Sequence, residues 1–134
     1  MKVLLVEDSR ILRERLRTLL AGMAQVVVVG ETDNESDAIR YLEIHGPDTV
    51  VLDLLLHSGS GLSVLETVKA QHPEITVVVF TNYSQPEYRA KCMALGADYF
   101  FDKTTDFEAF SLCLQTLSQS PLGSASVPRH GAVT

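Results

Sequence analysis

Cysteine is scarce in this chain: its 134 residues include two, Cys92 and Cys113, far apart and in no Cys-x-x-Cys pair. That excludes a disulfide scaffold and leaves reduced core thiols as the expectation. Long apolar runs are missing too, and none approaches the ~20 residues that span a bilayer. The N-terminus, Met-Lys-Val-Leu-Leu-Val, runs straight into Glu7 and Asp8 with no small-residue cleavage site. It is therefore not a signal peptide, and a cytoplasmic location is expected, with no membrane partner. Positive charge is in deficit, with a formal net charge of −6. That argues against direct nucleic-acid binding, which needs a basic surface. Arg10, Arg13, Arg15 and Arg17 are a local exception; they fall around a helix and read as a solvated face. The four histidines are scattered and only His57 lies near the residues singled out below, so no imidazole metal cluster is expected. No Gly-x-x-x-x-Gly-Lys occurs, which excludes a P-loop nucleotide enzyme.

What remains is ordinary for a globular protein, with 46% hydrophobic and 21% charged residues. Five short apolar runs read as strands: Lys2 to Val6, Gln25 to Val29, Asp48 to Leu54, Ile75 to Phe80 and Ala97 to Phe101. A helical period follows each. Ser9 caps the first, where Ile11, Leu12, Leu16, Leu19 and Leu20 recur. Glu35 to Glu43 is the second, stopped by His45-Gly46-Pro47. Leu62 to Ala70 is the third. Pro86 opens the fourth at a tolerated first-turn position, with Tyr88, Cys92 and Leu95 on its inner face. Phe107, Phe110, Leu114 and Leu117 mark the fifth as core or, alternatively, a dimer seam. Glu31 to Asn34 reads as a polar loop. From Ser118 the composition turns to Ser, Gly and Pro, so residues 1–118 form one domain and 119–134 a flexible tail.

Strand-then-helix repeated, with strands apolar on both faces, implies an α/β fold with a parallel sheet covered on both sides. Right-handed crossovers give a (βα)5 doubly wound, flavodoxin-like sandwich, for which 2-1-3-4-5 is a common strand order. All carboxyl ends then share one edge. Those ends carry Glu7-Asp8, Asp53, Thr81 and Lys103. In that order the first and third strands are neighbours, and three carboxylates crowd one crevice. Two like charges ~4 Å apart repel by about 4 kcal/mol at an effective dielectric near 20. One lysine does not offset three acids; a hard divalent cation does, and oxygen-only ligands select Mg²⁺, with Mn²⁺ an alternative. Mg²⁺ at one or two carboxylates suits the handling of a phosphoryl group. A dehalogenase-type phosphatase or a Toprim-type nuclease wants Asp-x-Asp, but Leu55 stands at the second position.

The chain resembles the receiver domains of two-component response regulators from Lys2 to about Ser118. The match rests on the acid pair after strand 1, Asp53 after strand 3, Gly61-Leu62 opening helix 3, Thr81 after strand 4, and the run Gly96-Ala97-Asp98-Tyr99-Phe100-Phe101-Asp102-Lys103. The resemblance implies that Asp53 accepts a phosphoryl group from a sensor histidine kinase or a phosphotransfer protein. It implies Mg²⁺ at Asp8 and Asp53, at Glu7 through water, and at the backbone carbonyl of Leu55. Lys103 is implied to hold a phosphoryl oxygen, and Thr81 to move onto the phosphoryl group. Phe100 is implied to swing inward as it does so, reshaping the face of helix 4, strand 5 and helix 5 for a downstream protein partner. Beyond its own phosphotransfer and dephosphorylation such a domain is no enzyme. The pattern departs from the family at His57, usually Pro; at Asn82, usually small; and at Thr104, usually Pro, where a trans bond is expected. Asn82, Tyr83 and His57, with Leu55 beside them, are expected to modulate access to the acceptor. Three outputs stay open: a regulator acting alone through partners, the receiver part of a longer DNA-binding regulator, and an interaction module that no longer uses phosphorylation. Phosphorylation-dependent homodimerisation is a further expectation.

Overall fold

The computed structural model describes residues 1–119. Its elements are β1 (Lys2–Val6), α1 (Arg10–Ala21), β2 (Val27–Thr32), α2 (Glu35–His45), β3 (Thr49–Leu52), α3 (Gly61–Gln71), β4 (Thr76–Thr81), α4 (Pro86–Ala94), β5 (Tyr99–Asp102) and α5 (Phe107–Gln119). All four strand pairings are parallel and the order is β2-β1-β3-β4-β5, as expected.

Alternation along each strand builds two cores. Val3, Leu5, Val51, Val78, Phe80, Tyr99 and Phe101 point to one face, where they meet Leu16 and Leu20 of α1 and Phe110, Leu114 and Leu117 of α5. Leu4, Val6, Val50, Leu52, Val77, Val79 and Phe100 point to the other, against α2, α3 and Cys92 of α4. Each such side chain contributes about 1.5–3 kcal/mol on burial. Hydrogen-bonded caps fix where the helices start. The Ser9 hydroxyl accepts from the Leu12 N–H, Asn34 Oδ1 from Asp37, and the Ser60 hydroxyl from Leu62 and Ser63.

Several expectations need correction. β2 starts at Val27 and runs through Gly30 and Glu31 to Thr32, which pair with Leu4, Leu5 and Val6. A strand tolerates Glu31 because Arg17 meets its carboxylate at 2.7 and 2.8 Å. Tyr88, Ile11 and Phe107 are not core; they are 37%, 69% and 42% exposed. A dimer seam on Phe110, Leu114 and Leu117 is overturned, because this chain's own sheet buries all three. The last helix extends to Gln119, and the expected tail from Ser120 to Thr134 lies outside the described residues. Among the described residues no helix is long and apolar enough to cross a membrane.

Candidate functional site

The sheet ladder continues one rung beyond its strands at the carboxyl edge. Glu7 N–H donates to the Thr32 carbonyl at 2.9 Å, Asp53 N–H to Val6 at 2.8 Å, and Lys103 N–H to Thr81 at 3.0 Å. Each side chain of the cluster is therefore launched from backbone that the sheet holds. Lys103 Nζ lies 3.0 Å from a Glu7 oxygen and 3.0 Å from Asp53 Oδ2. Both carboxylates are nearly inaccessible, at 2% and 4% exposure. Burial pushes the Glu7 carboxyl above its ordinary value and the Asp53 charge adds to it; the Ser9 N–H and Lys103 pull the other way. Burial is the larger cause and the second carboxylate the smaller, and two of the three expected acids, Glu7 and Asp53, share Lys103 while Asp8 stays exposed. Asp8 lines the same cavity of about 150 Å³ as Glu7, Asp53 and Lys103.

That donor set fits a hard cation. Its side chains offer carboxylate oxygen and no imidazole or thiolate, and the cavity has room for retained water. Among the described residues no three His, Cys, Asp or Glu side chains close into a cage. Mg²⁺, which favours one or two carboxylates plus water, does not require one.

Close packing behind Asp53 holds its backbone in place. A Cβ on Gly61 would stand 2.1 Å from the Asp53 carbonyl oxygen and 2.6 Å from Leu54 Cα, so only glycine lets α3 start this near the strand. Leu55 N–H reaches Asp53 Oδ1 at 3.4 Å, and the Leu55 side chain is half exposed at the cavity wall. Asn82 and Tyr83 line the cavity as well. His57 does not; its N–H donates to the Asp33 carbonyl at 2.9 Å, a bond that a proline there lacks. Thr81 is wholly buried and its hydroxyl accepts from the Tyr83 N–H at 3.1 Å. Phe100 is already wholly buried, with the Arg89 guanidinium 4.6 Å above its ring. No peptide bond is cis among the described residues, and Thr104 N–H donates to Asp102 Oδ1 at 2.7 Å.

Two supports were missed in the sequence. Arg13 does not belong to a solvated face. It is 17% exposed and donates to the carbonyls of Glu7 at 2.7 Å and Asp8 at 3.3 Å, pinning the turn that presents both acids. Its place one turn into α1 was a usable signal, because helical side chains lean toward the N-terminus. The other support is Asp102, which accepts from Thr104 and Thr105 N–H and from the Ser84 hydroxyl, joining the β4–α4 and β5–α5 loops.

The profile of the response regulator receiver domain matches residues 3–115. The chain belongs to that family. Receiver domains of this family are in general non-enzymatic signalling modules that interact with histidine kinases and typically depend on Mg²⁺. It is similar to the transcriptional regulatory protein YdfI of Bacillus subtilis, with 30% identity over 80% of this chain and 50% of YdfI. It also resembles a cyclic di-GMP phosphodiesterase of Thermotoga maritima, with 34% identity over 84% of this chain and 29% of that protein. Among solved structures, a LuxR-family DNA-binding response regulator from Staphylococcus aureus superposes with a TM-score of 0.79 at 25% identity, covering 87% of this chain and 98% of that one. The receiver thus spans about half the length of YdfI and under a third of the phosphodiesterase.

Proposed function

We propose that Asp53 accepts a phosphoryl group from the phosphohistidine of a sensor histidine kinase or phosphotransfer protein, and that a downstream protein reads the result on the α4, β5 and α5 face. The observation that carries this is the ammonium of Lys103 held 3.0 Å from both Asp53 and Glu7 in an all-oxygen pocket at the sheet edge. In the step, an Asp53 oxygen forms a bond to phosphorus as the imidazole P–N bond breaks, and the imidazole leaves with a proton. Asp8 and Asp53 would hold a divalent cation, with Glu7 contributing through water and Leu55 through its carbonyl. Mg²⁺ bound there would supply neutralisation of the negative charge in the transfer. Lys103 begins on the acceptor carboxylate, so it is already in place to bind a phosphoryl oxygen as charge develops there. The Thr81 hydroxyl, on the neighbouring strand end, turns to the phosphoryl group, and Phe100 beneath Arg89 transmits the change to α4.

The test is intact mass after a small phosphodonor with Mg²⁺, together with beryllofluoride binding. The parent gains one phosphoryl mass and Asp53→Asn gains none. A second reading, a module that signals without phosphorylation, is favoured by Asn82 and Tyr83 lining the cavity. Equal behaviour of parent and Asp53→Asn would establish it instead. Homodimerisation on phosphorylation belongs to the first reading. Sedimentation with and without beryllofluoride checks it, and an unchanged mass counts against it.

A further inference from the structure

The loop from Leu55 to Ser60 connects Asp53 to α3 and carries the carbonyl assigned above to the cation. It leaves the sheet and returns, so that Leu55 and Ser60 face one another as an isolated antiparallel bridge. Its outer half is not free. The hydrogen bonds that anchor it come from consecutive residues of the β2–α2 turn. His57 N–H donates to the Asp33 carbonyl at 2.9 Å, Asn34 bridges Ser58, and Glu35 N–H donates to the Ser58 carbonyl at 3.0 Å. The Glu35 carboxylate completes the attachment. Oε1 accepts from Ser60 N–H at 2.9 Å and Oε2 from the Ser63 hydroxyl at 2.6 Å. Those two bonds hold the carboxyl below its ordinary value, so it is an anion near neutral pH. The fit is tight: Gly59 has φ +83°, and a Cβ there would stand 2.4 Å from Glu35 Cβ.

We infer that Glu35 is a positioning residue for the cation site, acting through Ser60 and its bridge partner Leu55 to hold the Leu55 carbonyl in line with Asp53. The inference rests on the phosphoacceptor reading of that site. A carbonyl ligand contributes only if the loop that bears it is ordered before the cation arrives. Mg²⁺ tolerates little departure from octahedral geometry, so a loose ligand is a lost ligand. The carboxylate is suited to the task because one group takes a backbone N–H of the loop and a side-chain hydroxyl of α3 together. In the family pattern a proline stiffens this loop at position 57; here the β2–α2 turn holds it from outside.

Mg²⁺ titration of the full chain tests this, read by the amide shifts of Leu55 and Asp53. Amide hydrogen exchange of the metal-free protein is measured alongside. Glu35→Ala is expected to weaken Mg²⁺ binding about tenfold, the range seen when a ligand's support is removed. Exchange at Ser60 and Leu55 in that variant is expected to quicken without metal. Glu35→Gln retains an oxygen for Ser60 N–H and an amide for the Ser63 oxygen, and is expected to restore binding to within about threefold of the parent. Ser63→Ala removes one bond of two and serves if Glu35→Ala does not fold; a weakening of about threefold is expected. Unchanged affinity in a folded Glu35→Ala, or in Ser63→Ala where that variant must serve, overturns the inference. So does a Glu35→Gln that binds as poorly as Glu35→Ala, since charge alone would then be responsible. If the parent shows no Asp53-dependent Mg²⁺ binding, the phosphoacceptor reading falls and this inference with it.

Discussion

Replacing Lys103 by Met removes the cation shared by two buried carboxylates and keeps all but the last atom of the side chain's length. At the observed 3.0 Å each contact is worth about 5.5 kcal/mol in gross Coulomb energy at an effective dielectric near 20. The measured loss has a lower ceiling, because an abandoned carboxyl takes up a proton. Burial and the Asp53 charge already raise Glu7 above its ordinary 4.5, and loss of the ammonium is expected to raise it further, so proton uptake limits the measured loss to a few kcal/mol, on the order of 3 for breaking a buried ion pair. The sign follows from the two states. Folded Glu7 keeps its proton to a higher pH than unfolded Glu7, whose ordinary value is 4.5, so the variant's deficit is small below that pH and grows as pH rises. Denaturant unfolding without divalent cation is expected to show a loss of about 3 kcal/mol near pH 7 that shrinks as the pH is lowered towards 5. Saturating Mg²⁺ is expected to recover most of it, since the charge is supplied again. A deficit of equal size at both pH values refutes an electrostatic origin, and no deficit refutes the burial argument itself.

Phe110→Ala removes a ring stacked 3.9 Å from Phe80 and edge-on to Phe101, and is expected to cost about 3–5 kcal/mol in denaturant unfolding; a loss under about 1 kcal/mol contradicts the packing described. Burial pushes the thiols of Cys92 and Cys113 up to about 11 and about 12, so a disulfide reagent is expected to label neither in the native state and both after unfolding. Rapid native labelling counts against both placements.

Sheet order and the polar strand ends were legible in the sequence for one shared reason. A parallel strand buried on both faces shows as an unbroken apolar run, and the first residue that breaks it must face the ligand edge. Asp53, Glu7 and Thr81 announce themselves in that way, and Lys103 follows one residue after Asp102 breaks the fifth run. Glu31 did not, because an acid inside an edge strand breaks the pattern, and the arginines that neutralise it come from another element. Arg13 was hidden for the opposite reason. Its spacing matches a surface arginine, and only the path of the β1–α1 turn brings the Glu7 and Asp8 carbonyls under it. Tyr88 and Phe107 have apolar bodies at core spacing, but they stand on the flanks of α4 and α5, where their neighbours among the described residues leave them 37% and 42% exposed.

The departures at His57 and Thr104 share a physical consequence. A proline stiffens a loop by limiting the unfolded chain, and that contribution does not depend on pH. At His57 and Thr104 the stiffening is done instead by backbone N–H groups that proline lacks. One donates to the Asp33 carbonyl and the other to the Asp102 carboxylate. Around these bonds two further carboxylate contacts close each loop: Glu35 on Ser60 and Ser63, and Asp102 on Ser84 and Thr105. Both carboxyls are held below their ordinary values, Glu35 first by Ser63 and Asp102 first by Ser84. A depressed acid contributes stability that is whole above its unfolded value and is lost as pH falls through the folded one. The two loops that frame Asp53 are therefore expected to loosen together as pH falls through the two depressed values, with the apolar sheet beneath them unchanged; amide hydrogen exchange at Ser60 and Thr104 that is independent of acid would refute this. Order in these loops thus draws on ionised side chains in addition to the sheet that carries Asp53.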